Sequence, residues 1–186
     1  MKKQPGITEK TRQAFIAVFC ELYRQKPIQK ISIREIAAQS GYNRSTFYQY
    51  FTDIYDLLNA VENDLLRYIK EALSNERSAT NAAENMAHCF ENENHISALR
   101  ALLGDYGSIR FLERLKKEIP LDQWVLNLSP EDAMTPYLIE FYISTTLSLF
   151  QFWFRRQKDL PPDALLRLIH NLHSGGISSI ASKERI

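Results

Sequence analysis

The segment from residue 32 to residue 58 constrains the fold of this 186-residue chain more than any other part. Ser32 and Glu35 have the spacing of a capping box, in which each side chain satisfies a free N–H group at the start of a helix. Gly41 follows at the position where a helix ends with a residue in the left-handed backbone conformation, which glycine adopts at the lowest cost in free energy. Asn43 is a good N-cap for a second helix. The segment therefore predicts two short helices joined by a tight turn, followed by the beginning of a third helix.

The second of these short helices is predicted to be amphipathic. Phe47 and Phe51 lie one turn apart and define its inward side, whereas Ser45 and Gln49 point most directly outward. Two helices of this size bury little surface, so such a pair usually serves to present one face. This is the arrangement of a helix-turn-helix, whose second helix enters the DNA major groove. An ordinary helical corner with solvated polar residues is the alternative interpretation, but it explains an outer face without acidic residues less well.

The polar residues of this face suit contacts with DNA. Arg44 lies in the first turn, where recognition helices commonly touch base edges. An arginine there can bind guanine O6 and N7 together, which contributes about 1–3 kcal/mol of base discrimination. Thr46 and the hydroxyl groups of Tyr48 and Tyr50 are neutral donors suited to phosphate oxygens.

The same residues resemble the N-terminal domain of TetR-family transcriptional regulators. The matching residues are Ile-Arg-Glu-Ile-Ala at 33–37, Gly41, Arg-Ser-Thr-Phe-Tyr-Gln-Tyr-Phe at 44–51 and Leu-Leu at 57–58. Residues 8–58 would cover that domain. The resemblance implies a three-helix domain that binds operator DNA as part of a homodimer. It also implies a protein that usually represses transcription and is often released by a small molecule.

The resemblance also implies a role for individual residues. By position, Arg44, Ser45 and Tyr48 resemble the base-reading residues of the family, and Thr46 and Tyr50 resemble its phosphate contacts. The full set of residues that we predict to bind double-stranded DNA is Arg34, Asn43, Arg44, Ser45, Thr46, Tyr48, Gln49 and Tyr50.

Two positions outside the second helix complete this comparison. Arg34, on the preceding helix, resembles a residue that reaches a base or a phosphate. Ile54 departs from the family, which usually has a lysine there that holds a phosphate. The loss of one ionic contact predicts a flatter dependence of DNA affinity on salt concentration, with Tyr55 or Lys30 as candidate replacements.

Charge is distributed unevenly along the chain. Residues 1–58 hold 9 Lys and Arg against 5 Asp and Glu, a net charge of +4, whereas residues 59–186 hold 14 against 17, a net charge of −3. Positive charge is thus concentrated around the predicted helix-turn-helix, as phosphate binding requires. Cys20 lies in the apolar pattern of the first helix, which predicts a buried thiol. The N-terminus has no apolar signal segment, so we expect a cytoplasmic protein.

Apolar residues at helical spacing predict helices throughout and no alternating strand, so the predicted fold is all-α. The pattern places helices at about residues 8–25, 53–75, 130–158 and 163–173, with a loop or frayed end at 75–81. We predict a helix-turn-helix DNA-binding domain at residues 1–53. Residues 54–186 are predicted to form a helical domain for dimerisation and for binding an effector.

The segment at residues 137–154 is apolar on nearly every side. Glu140, Gln151 and four Ser or Thr residues argue against the alternative of a membrane helix. A helix of this kind is otherwise buried on two sides, and a second copy of the chain would complete a four-helix bundle with the helix at residues 163–173. The predicted interface residues are Phe141, Thr145, Leu149, Phe152, Leu165, Leu168, Ile169 and Leu172.

No other pattern indicates a chemical site. His170 and His173 are three residues apart, but no carboxylate or cysteine completes a metal site, and we favour an interface pair. The aromatic residues of the second domain could line an effector pocket, but we favour core for most of them: Tyr106, Phe111, Trp124, Tyr137, Phe141, Tyr142, Phe150, Phe152, Trp153 and Phe154. We therefore predict no cofactor, no metal, no membrane partner and no enzymatic activity. Two alternatives are a protein-interaction module without specific DNA binding and a small helical enzyme, for which no convergent catalytic set is visible.

Overall fold

The computed structural model describes residues 5–74, 92–107, 109–119 and 131–175, and in these ranges the chain is helical and contains no strand. In chain order the helices are α1 (Pro5–Gln25), α2 (Ile33–Ser40), α3 (Arg44–Phe47), α4 (Ile54–Ser74), α5 (Glu93–Leu102), α6 (Ile109–Glu118), α7 (Thr135–Arg155) and α8 (Pro162–Gly175). A 3₁₀ turn at Ile28–Lys30 precedes α2. The predicted all-α fold is confirmed. The interpretations of residues 75–81 and of Trp124 concern positions outside the described residues.

The apolar helix α7 is shorter than the predicted span of about 130–158. It begins at Thr135, and Pro136 lies in its first turn, where a missing N–H group costs nothing. It ends at Arg155, because Gln157 and Lys158 have positive φ angles of 57° and 59° that a right-handed helix cannot contain. Among the described helices, none is long and apolar enough to cross a membrane.

The chain divides into two compact units, one made of residues 1–67 and 93–112 and the other of residues 68–92 and 113–186. In the first unit, α1 packs against α2 and α5. Its core includes Phe15, Phe19, Cys20 and Phe47, each of which is fully buried. Burial raises the pKa of the Cys20 thiol to about 12, so the predicted buried cysteine is confirmed and is inert at neutral pH. The predicted domain boundary at residue 53 stays a prediction.

In the second unit, α7 packs against α8. Both helices bury large apolar residues, among them Phe150 and Trp153 of α7 and Leu165 of α8. The indole N–H of Trp153 donates to the carbonyl oxygen of Leu160 at 2.8 Å, which fixes the loop between the two helices. Apolar burial therefore holds the pair together, and this hydrogen bond fixes its connecting loop.

Candidate nucleic-acid interface

The turn between α2 and α3 is built by its capping residues. Ser32 Oγ accepts the N–H of Glu35 at 3.1 Å, as predicted. The other half of the predicted capping box is wrong: the Glu35 carboxylate binds Lys26 Nζ, with both oxygens at 2.7 Å. An ion pair is a stronger hydrogen bond than a contact with a neutral N–H group, and Lys26, just past the end of α1, lies within reach. Gly41 has a φ angle of 77°, so backbone conformation, not crowding, requires glycine there.

The recognition segment, residues 43–51, is capped at its start by the side-chain oxygen of Asn43. Asn43 Oδ1 accepts the N–H of Thr46 at 2.8 Å, the hydroxyl of Ser45 at 2.6 Å and the hydroxyl of Thr46 at 2.9 Å. The α-helix itself covers only Arg44–Phe47. It continues as a tighter turn, because the N–H of Gln49 donates to Thr46 O at 3.1 Å, three residues back. The segment is therefore shorter than an ideal helix and is held in place before any DNA arrives.

An aromatic core supports the recognition segment from behind. Phe47 and Phe15 are both fully buried, and their ring centroids lie 5.4 Å apart in an edge-to-face arrangement. Tyr42 adds a contact that the sequence analysis missed: its ring lies 5.4 Å from Phe15, and its hydroxyl accepts the Thr11 hydroxyl at 3.3 Å. An aromatic residue directly after the turn glycine was the available signal. These contacts fix the segment on α1.

The outer face of the recognition segment is polar and accessible. Asn43, Arg44, Ser45, Tyr48 and Gln49 are exposed, with half of the Tyr48 surface open to solvent. The guanidinium of Arg44 donates to the Tyr48 hydroxyl at 3.4 Å, so the two side chains lie together.

The flanks of this face are less open. Thr46 and Tyr50 are half-buried, and Arg34 is exposed on α2. The placement of the predicted DNA-binding residues is therefore compatible with base and phosphate contacts, and their roles stay a prediction.

The beginning of α4 carries acidic side chains, whereas a phosphate-binding site needs basic ones. Asp53 Oδ1 accepts the N–H of Asp56 at 2.8 Å, and Asp56 Oδ2 accepts the N–H of Thr52 at 2.8 Å. The first turn of α4 therefore carries two carboxylates that already occupy backbone donors. Ile54 is half-buried and supplies no charge, while Tyr55 is 55% exposed. The positive end of this helix is thus neutralised within the chain.

The predicted dimer-interface residues fall into three classes of exposure. Phe141 and Phe152 of α7 are more than half exposed, at 59% and 53%. The half-buried residues are Thr145, Leu149, Leu168 and Leu172. Leu165 and Ile169 are buried within the protomer. Tyr137, which the predicted interface did not include, is 73% exposed and lies one turn before Phe141.

The aromatic residues of the C-terminal part are not mainly core. Of those described, the buried ones are Phe111, Phe150, Trp153 and Phe154, and Tyr142 is half-buried. Tyr106, Tyr137, Phe141 and Phe152 are each at least 42% exposed and are not core, although the exposure of Phe141 and Phe152 agrees with their predicted place at a dimer interface. A helix that is apolar all round within one chain leaves part of its surface uncovered when only one side packs internally.

The two histidines have different surroundings. His173 Nδ1 donates to the Ile169 carbonyl at 2.9 Å, and its Nε2 lies 2.9 Å from the Thr145 hydroxyl. Burial lowers the pKa of His173. His170 is exposed. The described residues contain no group of three or more His, Cys, Asp or Glu side chains placed to hold a metal ion.

The geometry of α1, α2, the glycine turn and α3 defines a helix-turn-helix protein, a class that regulates transcription by binding DNA. Residues 16–61 match the family model for bacterial regulatory proteins of the tetR family. Residues 16–61 therefore form the N-terminal domain of the tetR family of bacterial regulatory proteins. The predicted family is confirmed.

Solved structures share the fold over nearly the whole chain. The fatty acid degradation regulator FadR from Bacillus halodurans is 16% identical, with 95% of this chain and 98% of that chain covered and a TM-score of 0.66. A TetR transcriptional regulator from Streptococcus agalactiae is 20% identical, with 89% and 94% covered and a TM-score of 0.60. FadR from Bacillus subtilis in complex with stearoyl-CoA is 16% identical, with 88% and 98% covered and a TM-score of 0.60. The comparison with curated proteins gives no match.

Proposed function

We propose that this protein is a cytoplasmic homodimer that binds a palindromic operator and represses transcription. Each protomer inserts residues 44–50 into the major groove of one half of the operator. The observation that carries this proposal is the exposed face of the recognition segment, which presents Arg44, Ser45, Tyr48 and Gln49 without an acidic residue. Arg44 and Tyr48 read bases, and the hydroxyl groups of Thr46 and Tyr50 bind phosphates.

The exposed side of α7 supports the homodimer. Tyr137, Phe141 and Phe152 lie at a spacing of four and eleven residues, close to whole turns of a helix, so they share one side. Large aromatic side chains that are more than half exposed mark a surface for protein contacts. The partner that we propose is the same face of a second copy of the chain. In a two-fold dimer the same surface of both protomers meets, and a palindromic site needs two recognition segments.

An effector is the second part of the proposal. α5 packs against α1 in the unit that contains the recognition segment, so a ligand that shifts α5 changes the support of α1. Such a ligand releases the operator if it binds the DNA-free conformation more tightly. The complex of Bacillus subtilis FadR with stearoyl-CoA supports a small molecule as the effector, although a protein can act in the same way.

The test is selection of bound DNA from random sequence by the pure protein. We expect a two-fold motif whose affinity falls about a hundredfold or more in the Arg44→Ala, Tyr48→Ala double variant, because each base contact contributes about 1–3 kcal/mol. Arg167→Ala is the matched control, since Arg167 is exposed on α8 and pairs with Asp163 of its own helix. Undiminished binding by the double variant, with folding intact, would refute the proposal.

One observation favours a second candidate function. The two carboxylates at the beginning of α4 and Ile54 weaken phosphate binding at the edge of the recognition segment. A protein-interaction module of the same fold, without specific DNA binding, would tolerate these residues. Failure to enrich any sequence even at low salt, where nonspecific and specific affinities are both highest, would favour this module.

A further inference from the structure

The side-chain oxygen of Asn43 determines where the neighbouring hydroxyl groups direct their hydrogens. The backbone N–H of Thr46 donates to this atom at 2.8 Å, so the atom is Oδ1 and not the amide nitrogen. An amide oxygen only accepts hydrogen bonds. The hydroxyl groups of Ser45 and Thr46, which contact it at 2.6 Å and 2.9 Å, are therefore both donors. Because each hydroxyl has a single hydrogen, both hydrogens are directed to Asn43.

The three donors share an oxygen that has only two lone pairs. The N–H of Thr46 is fixed by the backbone, and the Ser45 hydroxyl makes the shorter of the two hydroxyl contacts. The Thr46 hydroxyl is therefore the donor that can turn to a phosphate oxygen without leaving Oδ1 unsatisfied, while the Ser45 hydroxyl stays on Asn43. Ser45 is exposed, so its oxygen can accept a hydrogen bond on the face proposed for DNA, but its hydrogen is already used.

We propose that Asn43 is a positioning residue that makes Ser45 a hydrogen-bond acceptor, and that Ser45 thereby selects a base with an exocyclic amino group, adenine or cytosine. In the major groove, adenine N6 and cytosine N4 are donors, whereas guanine O6 and thymine O4 accept. A serine with a free hydroxyl can bind either group, because it can turn to donate or to accept. A serine whose hydrogen is held by Asn43 binds only the amino group. The selection of a base rests on the proposed function, to which it adds the chemical class of one base in the operator.

Operator duplexes with one altered base test whether Ser45 accepts from an amino group. The base pair that faces Ser45 is identified as the position where the motif selected by Ser45→Ala loses its preference relative to the natural protein. The amino group of that pair is then deleted by placing purine for adenine or 2-pyrimidinone for cytosine. We expect the natural protein to bind about fivefold more weakly, as the loss of one hydrogen bond predicts, and Ser45→Ala to show no further loss. An equal loss in both proteins, no loss in the natural protein, or an unchanged motif in Ser45→Ala would overturn the proposal.

Asn43→Gly tests whether Asn43 sets the preference. Glycine costs little at an N-cap, but it removes the oxygen that holds the Ser45 hydroxyl. The quantity to compare is the affinity for the identified pair divided by that for the transposed pair, which puts a keto oxygen where the amino group was. We expect a ratio of about ten in the natural protein and at most about two in Asn43→Gly, because the freed hydroxyl can also donate. In Asn43→Asp, the matched control, a carboxylate accepts the same donors, so the ratio should stay at about ten although repulsion from phosphates lowers both affinities. An equal ratio in Asn43→Gly and the natural protein would overturn the proposal.

A measurement on the DNA-free protein shows directly whether Asn43 holds Ser45. The three-bond couplings between Hα and Hβ of Ser45, measured by NMR, should indicate one χ1 rotamer in the natural protein and in Asn43→Asp, and averaging among rotamers in Asn43→Gly. Averaging in the natural protein would overturn the proposal. If no duplex is enriched, the proposed function fails and base selection fails with it. A specific motif that does not depend on the amino group would refute the role of Ser45 alone and leave the proposed function standing.

Discussion

The phenylalanines of the recognition segment are buried, whereas those on the outer side of α7 are exposed. In the recognition segment Phe47 and Phe51 are buried against Phe15, and the exposed residues are polar. On α7, Phe141 and Phe152 are more than half exposed. Burial of aromatic residues stabilises one chain, whereas their exposure leaves apolar surface for another molecule to cover.

This difference indicates two kinds of partner. A polar face on a rigid support suits a charged and hydrated ligand such as DNA, because its donors are held in place and need not be ordered on binding. An apolar face suits a protein surface, which gains free energy from the water it releases. The two faces should therefore respond differently to mutation and to salt.

The largest expected effect comes from removing the aromatic support of the recognition segment. Phe47→Ala should lower the free energy of unfolding by about 3–5 kcal/mol, because it leaves a cavity in a fully buried cluster. The neighbouring Tyr48→Ala should cost less than about 1 kcal/mol, since half of that side chain is already exposed. Chemical denaturation followed by circular dichroism measures both values. Similar losses of unfolding free energy in the two variants would contradict the division of the recognition segment into a buried supporting side and an exposed side that contacts DNA.

A smaller effect is expected on the outer side of α7, where the monomer should stay folded. Phe141→Asp should raise the Kd of the dimer at least about 30-fold, as for an aromatic residue central to an interface. Asn171→Asp is the control, because it adds the same charge at an exposed polar position of α8. Sedimentation analysis at several concentrations measures the Kd. An unchanged Kd in Phe141→Asp would show that a different face forms the dimer, or that the chain acts alone.

The local signals of the sequence predicted the fold well. Ser32, Gly41 and Asn43 act on neighbouring backbone groups, so their capping roles can be derived from spacing alone, and the structure confirms them. The apolar spacing of the long helices placed α4 and α8 within about two residues of their observed ends, because periodicity reports burial directly.

Contacts between distant residues could not be predicted in the same way. Glu35 binds Lys26 across the end of α1, and Glu62 binds Arg110 over 48 positions of sequence. Both partners depend on how helices pack, which no local pattern specifies. Leu165 and Ile169 are predicted at the dimer interface because they are apolar, and both are buried within the protomer. Apolarity alone does not distinguish burial within a residue's own chain from burial against a partner. Helix facing and resemblance predict the recognition residues, whose placement in the structure is compatible with that prediction, and their DNA contacts stay a prediction.

The smallest expected effect concerns the beginning of α4. Ile54→Lys restores the residue that the family usually has, and it should make the slope of log affinity against log salt steeper by about 0.9, the value for one additional phosphate contact. Ile54→Gln is the control, because it is polar and of similar length but uncharged. The nearby carboxylates of Asp53 and Asp56 compete with phosphate for a lysine at this position, although both already accept backbone N–H groups. Titration of an operator duplex at several salt concentrations measures the slope, and an unchanged slope would mean that these carboxylates retain the lysine. The dimer Kd should not change in either variant, since residue 54 lies on α4, whereas the face that we propose for the dimer lies on α7.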